Sequence, residues 1–348
     1  MNTQNTNRLP AEWGPQSAIM LTWPHVHSDW QPFLEYVDPV FCEIAFYSSL
    51  HERVLIACWD DNHQAHISNL LDERGTDLNQ VDLYTVRSND SWARDHGPIT
   101  IFKQQKPVLL DFSFNGWGNK YEAKLDNAIS RHLCSQGAFA NSEFKSIDLV
   151  LEGGSIESDG HGTLLTTSRC LLSPQRNPTL DRPQLEQQLN QLLGFDRFLW
   201  LEHGHLAGDD TDSHIDTLAR FCSVDTICYV SCDDPADEHY EALQEMATEL
   251  TAFRQANGKP YKLVPLPMTQ PIYNEDGVRL PGTYANFLII NNAVLVPTYE
   301  DEHDNLALQQ LAMCFPDREI IAINCRALIE QYGSLHCVTM QLPEGVLA

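Results

Sequence analysis

Residues 208–216, G-D-D-T-D-S-H-I-D, gather four carboxylates around one imidazole, His214. Turn-forming residues lead from there into an apolar run, so the charge is denser than a connecting loop needs and too regular for a disordered acidic tail. In an extended segment Asp212, His214 and Asp216 would fall on one face. Such a set can hold a cation and move a proton, provided the fold brings in a nucleophile and further carboxylates.

Three other stretches supply candidates. In 89–98, N-D-S-W-A-R-D-H-G-P, Asp95 stands beside Arg94 before a Gly-Pro turn. Loop carboxylates so placed meet ligands, although an Asp-Arg pair is more often a structural ion pair. In V-L-E-G-G at 150–154, Glu152 ends an apolar run next to two glycines that allow close backbone approach. A part-buried carboxylate there is either paired or raised in pKa. In G-S-L-H-C-V-T at 333–339, Cys337 opens a β-type run. A lone Cys is usually a buried small hydrophobe, but one accompanied by His and carboxylates elsewhere is the pattern of a thiol enzyme. His203 and His205 add a metal reading, yet no H-E-x-x-H or comparable spacing supports it, and metal hydrolysis ranks below covalent chemistry.

The elements that must position these residues are short and alternate. Apolar runs and periodicity predict strands at 18–23, 54–58, 81–86, 108–112, 163–167, 198–201, 226–230, 262–264, 287–290, 294–297 and 320–323, with a last one after Cys337. Helices are expected at 40–50, 63–71, 121–133, 182–193, 235–255 and 305–314. Alternation to the end argues α/β, and no Pro/Gly/Ser-rich linker divides residues 1–348, so one domain is the expectation. The proline-rich segment 265–281 is the least regular and is expected to form a loop over a pocket.

With 48 acidic against 22 basic residues the net charge is −26, which argues against nucleic acid or an anionic membrane as partner and favours a small cation. Most of that charge reads as solvated surface. Residues 1–8 carry no apolar signal region, and no run reaches the length of a membrane span, so a cytoplasmic protein is expected. Ten cysteines without C-x-x-C pairs suit reduced thiols.

Taken in order, these motifs resemble the agmatine deiminase family of the guanidine-modifying superfamily. The resemblance runs through P-A-E-W at 10–13, D-S-W-A-R-D-H-G-P at 90–98, F-N-G-W-G-N-K-Y at 114–121 and E-G-G-S-I at 152–156. It continues through R-N-P at 176–178, D-D-T-D-S-H-I-D at 209–216, Y-A-N-F at 284–287 and L-H-C-V-T at 335–339. It implies a five-bladed α/β propeller of ββαβ modules with pseudo-fivefold symmetry, a hydrolase that needs no metal or other cofactor, and a place in putrescine biosynthesis.

The resemblance also implies the roles. Cys337 would attack the guanidinium carbon, His214 would protonate the leaving ammonia and then activate water, Glu152 would orient the imidazole, and Asp95 and Asp216 would grip the guanidinium. Asp210 and Trp92 are expected at the substrate's amine end, with Trp23 and the 265–281 loop as walls; Trp92 as core packing is the bland alternative. Two departures stand out: Ser213 replaces the family's usual Gly before the His, and Tyr332-Gly333-Ser334 replaces a Gly triplet before the Cys motif, with Met340 before Gln341. Rival readings are a deiminase of arginine or peptidyl-arginine, a non-catalytic propeller that binds a cation or partner, and a zinc hydrolase. A homo-oligomer is compatible with all of them.

Overall fold

The computed structural model describes residues 6–139 and 142–347. Part of the polar 1–8 stretch lies outside them. Strand β1 (Asn7–Arg8) leads to β2 (Gln16–Thr22), and β3 (Arg53–Cys58) and β4 (Val81–Thr85) follow in parallel after helices α1 (Leu34–Ser49) and α2 (Asp61–Arg74). The centres of β2 (Ala18–Leu21) and β3 (Val54–Cys58) are wholly apolar because both faces are covered. Alternate residues go to opposite sides: Ile19, Leu21, Val54 and Ile56 enter one apolar core, Ala18, Met20, Leu55 and Ala57 another.

The same unit then recurs. After the helical turn α3 (Ala93–His96), β5 (Ile99–Lys103) pairs antiparallel with β6 (Lys106–Ser113), and β6 pairs parallel with β7 (Glu143–Val150) across α4 (Gly116–Asn119) and α5 (Ile129–Ser135). Next, β8 (Glu157–Ser158) runs antiparallel to β9 (Thr163–Thr167), and β9 runs parallel to β10 (Arg197–Leu201) after α6 (Ser168–Leu171) and α7 (Arg182–Leu193). The triplet β11 (Ala219–Ser223), β12 (Thr226–Val230) and β13 (Lys262–Leu266), with α8 (Tyr240–Ala252), repeats the pattern. So does β14 (Leu288–Ile290), β15 (Ala293–Thr298) and β16 (Glu319–Asn324), with α9 (Asp304–Cys314). The last strand, β17 (Thr339–Pro343), returns to pair antiparallel with β2, so the chain's two ends build one sheet. The fold is mixed α/β, organised in ββαβ modules.

Most expected elements are present. Strands β1, β5, β7, β8 and β11 were not foreseen, because they are short, carry charged residues, or owe their pairing to distant partners. Helix α1 starts well before 40–50, at Leu34, and carries Pro39 inside its second turn at the loss of one backbone hydrogen bond. Residues 121–125 are not helical; α5 begins only at Ile129 behind a 3₁₀ turn, and α8 begins at Tyr240 rather than 235. No helix of the described residues is long and apolar enough to cross a membrane.

Candidate active site

Each module places its first strand so that the segment entering it faces a common pocket. Asp95 lies just before β5, Glu152 before β8, His214 and Asp216 before β11, Asn286 before β14 and Cys337 before β17. The turns touch one another: the Arg94 N–H donates to the Cys337 carbonyl at 3.1 Å, and the His336 N–H to the Asn286 carbonyl at 3.1 Å.

Gly154 is the point on which three candidate side chains converge. A Cβ there would stand 2.6 Å from His214 Nδ1, 2.9 Å from Asp95 Oδ1 and 3.0 Å from Asp216 Oδ2, so only glycine leaves them room. The Gly154 N–H donates to Asp95 Oδ1 at 3.0 Å, and Trp117 Nε1 donates to Asp95 Oδ2 at 2.9 Å. Trp117 reaches that position from a left-handed backbone, φ 54°, in the turn that Gly116 and Gly118 allow. The Cys337 thiol lies 3.9 Å from Asp216 Oδ2 and 3.4 Å from Asn286 Oδ1. Asp95, Asp216 and Cys337 are all buried.

The electrostatics follow from that burial. Desolvation, with Asp216 and Glu152 adding to it against the pull of His214, pushes the Asp95 carboxyl up to about 6. Desolvation likewise pushes the Cys337 thiol well above its usual value, and the Asp216 and Asp95 carboxylates add to the shift. Burial works against a charged His214, but Asp95, at 3.6 Å from Nδ1, leads the groups that hold the imidazole well above its usual pKa.

Glu152 is buried with Arg176, whose Nε lies 2.9 Å from both of its oxygens. Arg176 also binds Asp212 at 2.6 Å and the Thr211 carbonyl at 2.8 Å. Glu152 therefore acts on His214 through its field, held by Arg176. Glu152, Cys170 and His214 present ligand atoms within 4.8 Å of one another, the one such metal-competent group among the described residues. Arg176 already matches the Glu152 charge there. His203 pairs on the surface with Glu249 at 2.7 Å and takes no part in the site.

Beneath Asp216 lies a support that the sequence reading did not find. His336 Nδ1 is 2.8 Å from Asp216 Oδ2, and because a carboxylate only accepts, Nδ1 carries the proton. On the far side of the ring, Nε2 meets Arg220 Nη2 at 3.0 Å and Glu12 Oε1 at 2.9 Å, while Arg220 also pairs with Glu12 and Glu157. Desolvation would raise Asp216, but the His336 contact, with help from His214 and Arg220, holds it below the usual carboxylate range. Asp216 Oδ1 is buried and has no hydrogen-bond partner among the described residues.

A cavity of about 510 Å³, counting its open mouth, leads to Cys337. Asp29, Asp90, Asp95, Asp209 and Asp210 line it with Trp92, Trp117, Tyr121 and Tyr332, and no Lys or Arg among the described residues does. Trp92 is both wall and packing: its ring lies tilted against Trp30, centroids 5.5 Å apart, and supports the Gly333 backbone. Asp210 accepts from Tyr121 Oη at 2.7 Å.

Three expectations fail. Trp23 is not a wall; it is fully buried, and its Nε1 donates to Asp38 at 2.8 Å. None of 265–281 lines the cavity; that segment folds on itself through the Tyr273–Arg279 bridge. Asp212 does not share the face of His214 and Asp216, because left-handed Asp212 and Ser213 (φ 68° and 65°) break the extended geometry and turn Asp212 toward Arg176 and Lys120. Arg176 and Asn286 were visible only as members of R-N-P and Y-A-N-F, and His336 only as the neighbour of Cys337.

Comparison with known proteins supplies the context. The sequence profile of the Porphyromonas-type peptidyl-arginine deiminase family matches residues 8–343. A Vibrio parahaemolyticus protein assigned as an agmatine deiminase is 31% identical, the match covering 96% of each chain. A solved structure from Porphyromonas gingivalis, assigned as an arginine deiminase, superposes with TM-score 0.92 at 47% identity over 98% of this chain and 100% of the other. A Cys-to-Ser variant of a C. jejuni agmatine deiminase with substrate bound superposes with TM-score 0.90 at 38% identity, covering 97% of each chain.

Ser213 gives a direct test of the local geometry. Its left-handed backbone costs about 1–2 kcal/mol, and its buried hydroxyl has no partner among the described residues, which costs about 1–3 kcal/mol more. Glycine forfeits only about 0.5–1 kcal/mol in unfolded-chain entropy. Ser213→Gly is expected to raise stability by roughly 1 kcal/mol or more in urea denaturation; an equal or lower midpoint would contradict the assignment of strain.

Proposed function

This chain belongs to the Porphyromonas-type peptidyl-arginine deiminase family, and we propose that it hydrolyses agmatine to N-carbamoylputrescine and ammonia. It is a guanidine-modifying hydrolase. The observation that carries the substrate reading is the pair of buried carboxylates, Asp95 and Asp216, that face Cys337 while one Asp216 oxygen lacks a partner. A guanidinium is planar, charged at any ordinary pH and forked in its donors, so it matches two such carboxylates. Five aspartates and no Lys or Arg line the way in, which suits a second, ammonium charge at the far end and disfavours the carboxylate of free arginine. Asp210 and Trp92, which both line the cavity, would take that end, the first by charge and the second by its face.

The Cys337 thiol gives its proton to solvent as the bound cation stabilises the thiolate, and the sulfur attacks the central carbon. The tetrahedral adduct then breaks a C–N bond as cationic His214 gives a proton to the leaving nitrogen, which departs as ammonia and leaves an S-alkylthiouronium. His214, now neutral, takes a proton from water; the oxygen attacks the same carbon, the C–S bond breaks, and the ureido product leaves. Glu152 favours the cationic imidazole through its field, and His336 fixes Asp216. No metal or cofactor enters.

We further read residues 1–348 as one domain, a five-bladed propeller in which each ββαβ module is a blade around the pocket. The entry of each first strand beside the pocket and the β17–β2 closure support this. The free thiols suit a cytoplasmic setting.

The second reading, an arginine or peptidyl-arginine deiminase, is favoured by the 47% identity to a chain assigned to arginine. Incubation with agmatine, arginine and an arginyl peptide in parallel decides it: ammonia and N-carbamoylputrescine from agmatine are expected, absent in Cys337→Ala. Faster release from either arginine form would overturn the agmatine reading. Because Asp95 must be charged to hold the cation, kcat/KM is expected to fall as pH drops through about 6, where that carboxyl takes up its proton in the free enzyme. An acid limb near the ordinary carboxylate range, about 4, would exclude Asp95 as its source.

A further inference from the structure

Three cysteines meet at the contact between the β11–β13 and β14–β16 modules, away from the pocket. Cys222 is the extra residue of a β-bulge: Phe221 pairs with Ile227 and Ser223 with Thr226, so the residue between them has no partner across the ladder. A bulge re-aims its side chain, and here the Cys222 thiol comes near enough to those of Cys228 on β12 and Cys314, the last residue of α9, for the three to influence one another's ionisation. Cys222 and Cys228 belong to the buried core, and half-buried Cys314 packs on its edge. Cys222 and Cys314 both line an open cavity of about 880 Å³ that shares no lining residue with the Cys337 pocket.

We propose that Cys314 and Cys222 form a redox-active dithiol that hydroperoxides oxidise to an intramolecular disulfide. Cys314 is the reactive partner, being the more accessible. The neighbouring Cys222 thiol, opposed by burial and aided by Lys262, draws its thiol below the usual range, whereas burial pushes Cys337, Cys222, Cys170, Cys58 and Cys42 up. Its thiolate attacks a peroxide oxygen, the O–O bond breaks, and the leaving oxygen departs as water or alcohol, giving a sulfenic acid. The Cys222 sulfur then displaces that hydroxyl as water, forming the S–S bond; two electrons pass from the two thiols to the peroxide. The bond would tie β11 to the end of α9. This inference is independent of the reaction at Cys337.

Peptide mapping of the full-length protein tests it. After treatment with hydrogen peroxide at stoichiometric amounts, alkylation and non-reducing digestion, two of the ten thiols are expected to be lost in a Cys222–Cys314 cross-link that dithiothreitol reverses. Cys314→Ser is expected to abolish the cross-link, and Cys228→Ser to leave it. Oxidation confined to Cys337, a Cys314–Cys228 link, or Cys314 carried to sulfinic acid without a cross-link would each overturn the proposal.

Discussion

The structure depends on keeping several carboxylates charged where water is excluded. Removing a carboxylate from water costs far more than a folded domain can spare unless hydrogen bonds or opposite charge replace the water. Glu152 is matched by Arg176, while Asp95 is held by Trp117, Gly154 and the His214 field. Asp216 is held on one side by His336, which stands on Arg220 and Glu12. Its other oxygen has no donor among the described residues, a place that the proposed function gives to a guanidinium N–H. In the proposed reaction the same crowding that would recruit the cation disfavours a thiolate beside it, so cation binding would also activate the nucleophile.

Modular architecture makes this crowding affordable. Because each first strand begins next to the pocket, groups from distant parts of the chain arrive on short, well-anchored turns, and no single loop carries the site. Arg220 illustrates the support: it is fully buried within β11, yet its guanidinium meets Glu157, Glu12, His336 and the Ala285 and Phe287 carbonyls. Glycines appear where backbones and side chains must nearly touch, as at Gly154 among the site groups and Gly333 against Trp92.

Much of this was legible in the sequence, and the failures have physical causes. Asp95, Glu152, His214, Asp216 and Cys337 stood out as candidates by residue type and local turn chemistry, were joined into one set by the family resemblance, and lie together in the structure. Their supports did not, because Arg176, Asn286 and His336 matter through contacts with residues far away in the chain. Strand β11 was missed because a buried arginine interrupts its apolar pattern, although the ion pairs around it are what make that arginine tolerable. Extended geometry was wrongly inferred for 212–216 because successive left-handed residues are not readable from Asp-Ser. Trp23 looked like a ligand wall because aromatic density alone does not distinguish core from pocket.

The most direct measurement is the ionisation of Cys337, followed as thiolate absorbance against pH in the wild type minus Cys337→Ser, with and without a non-hydrolysable guanidinium ligand. In the free protein the thiolate is expected only well above the ordinary thiol value of about 8.5, and the bound cation is expected to bring its appearance down toward neutral pH. A thiolate already present at neutral pH in the free protein, or an ionisation that the ligand leaves unmoved, would contradict the account.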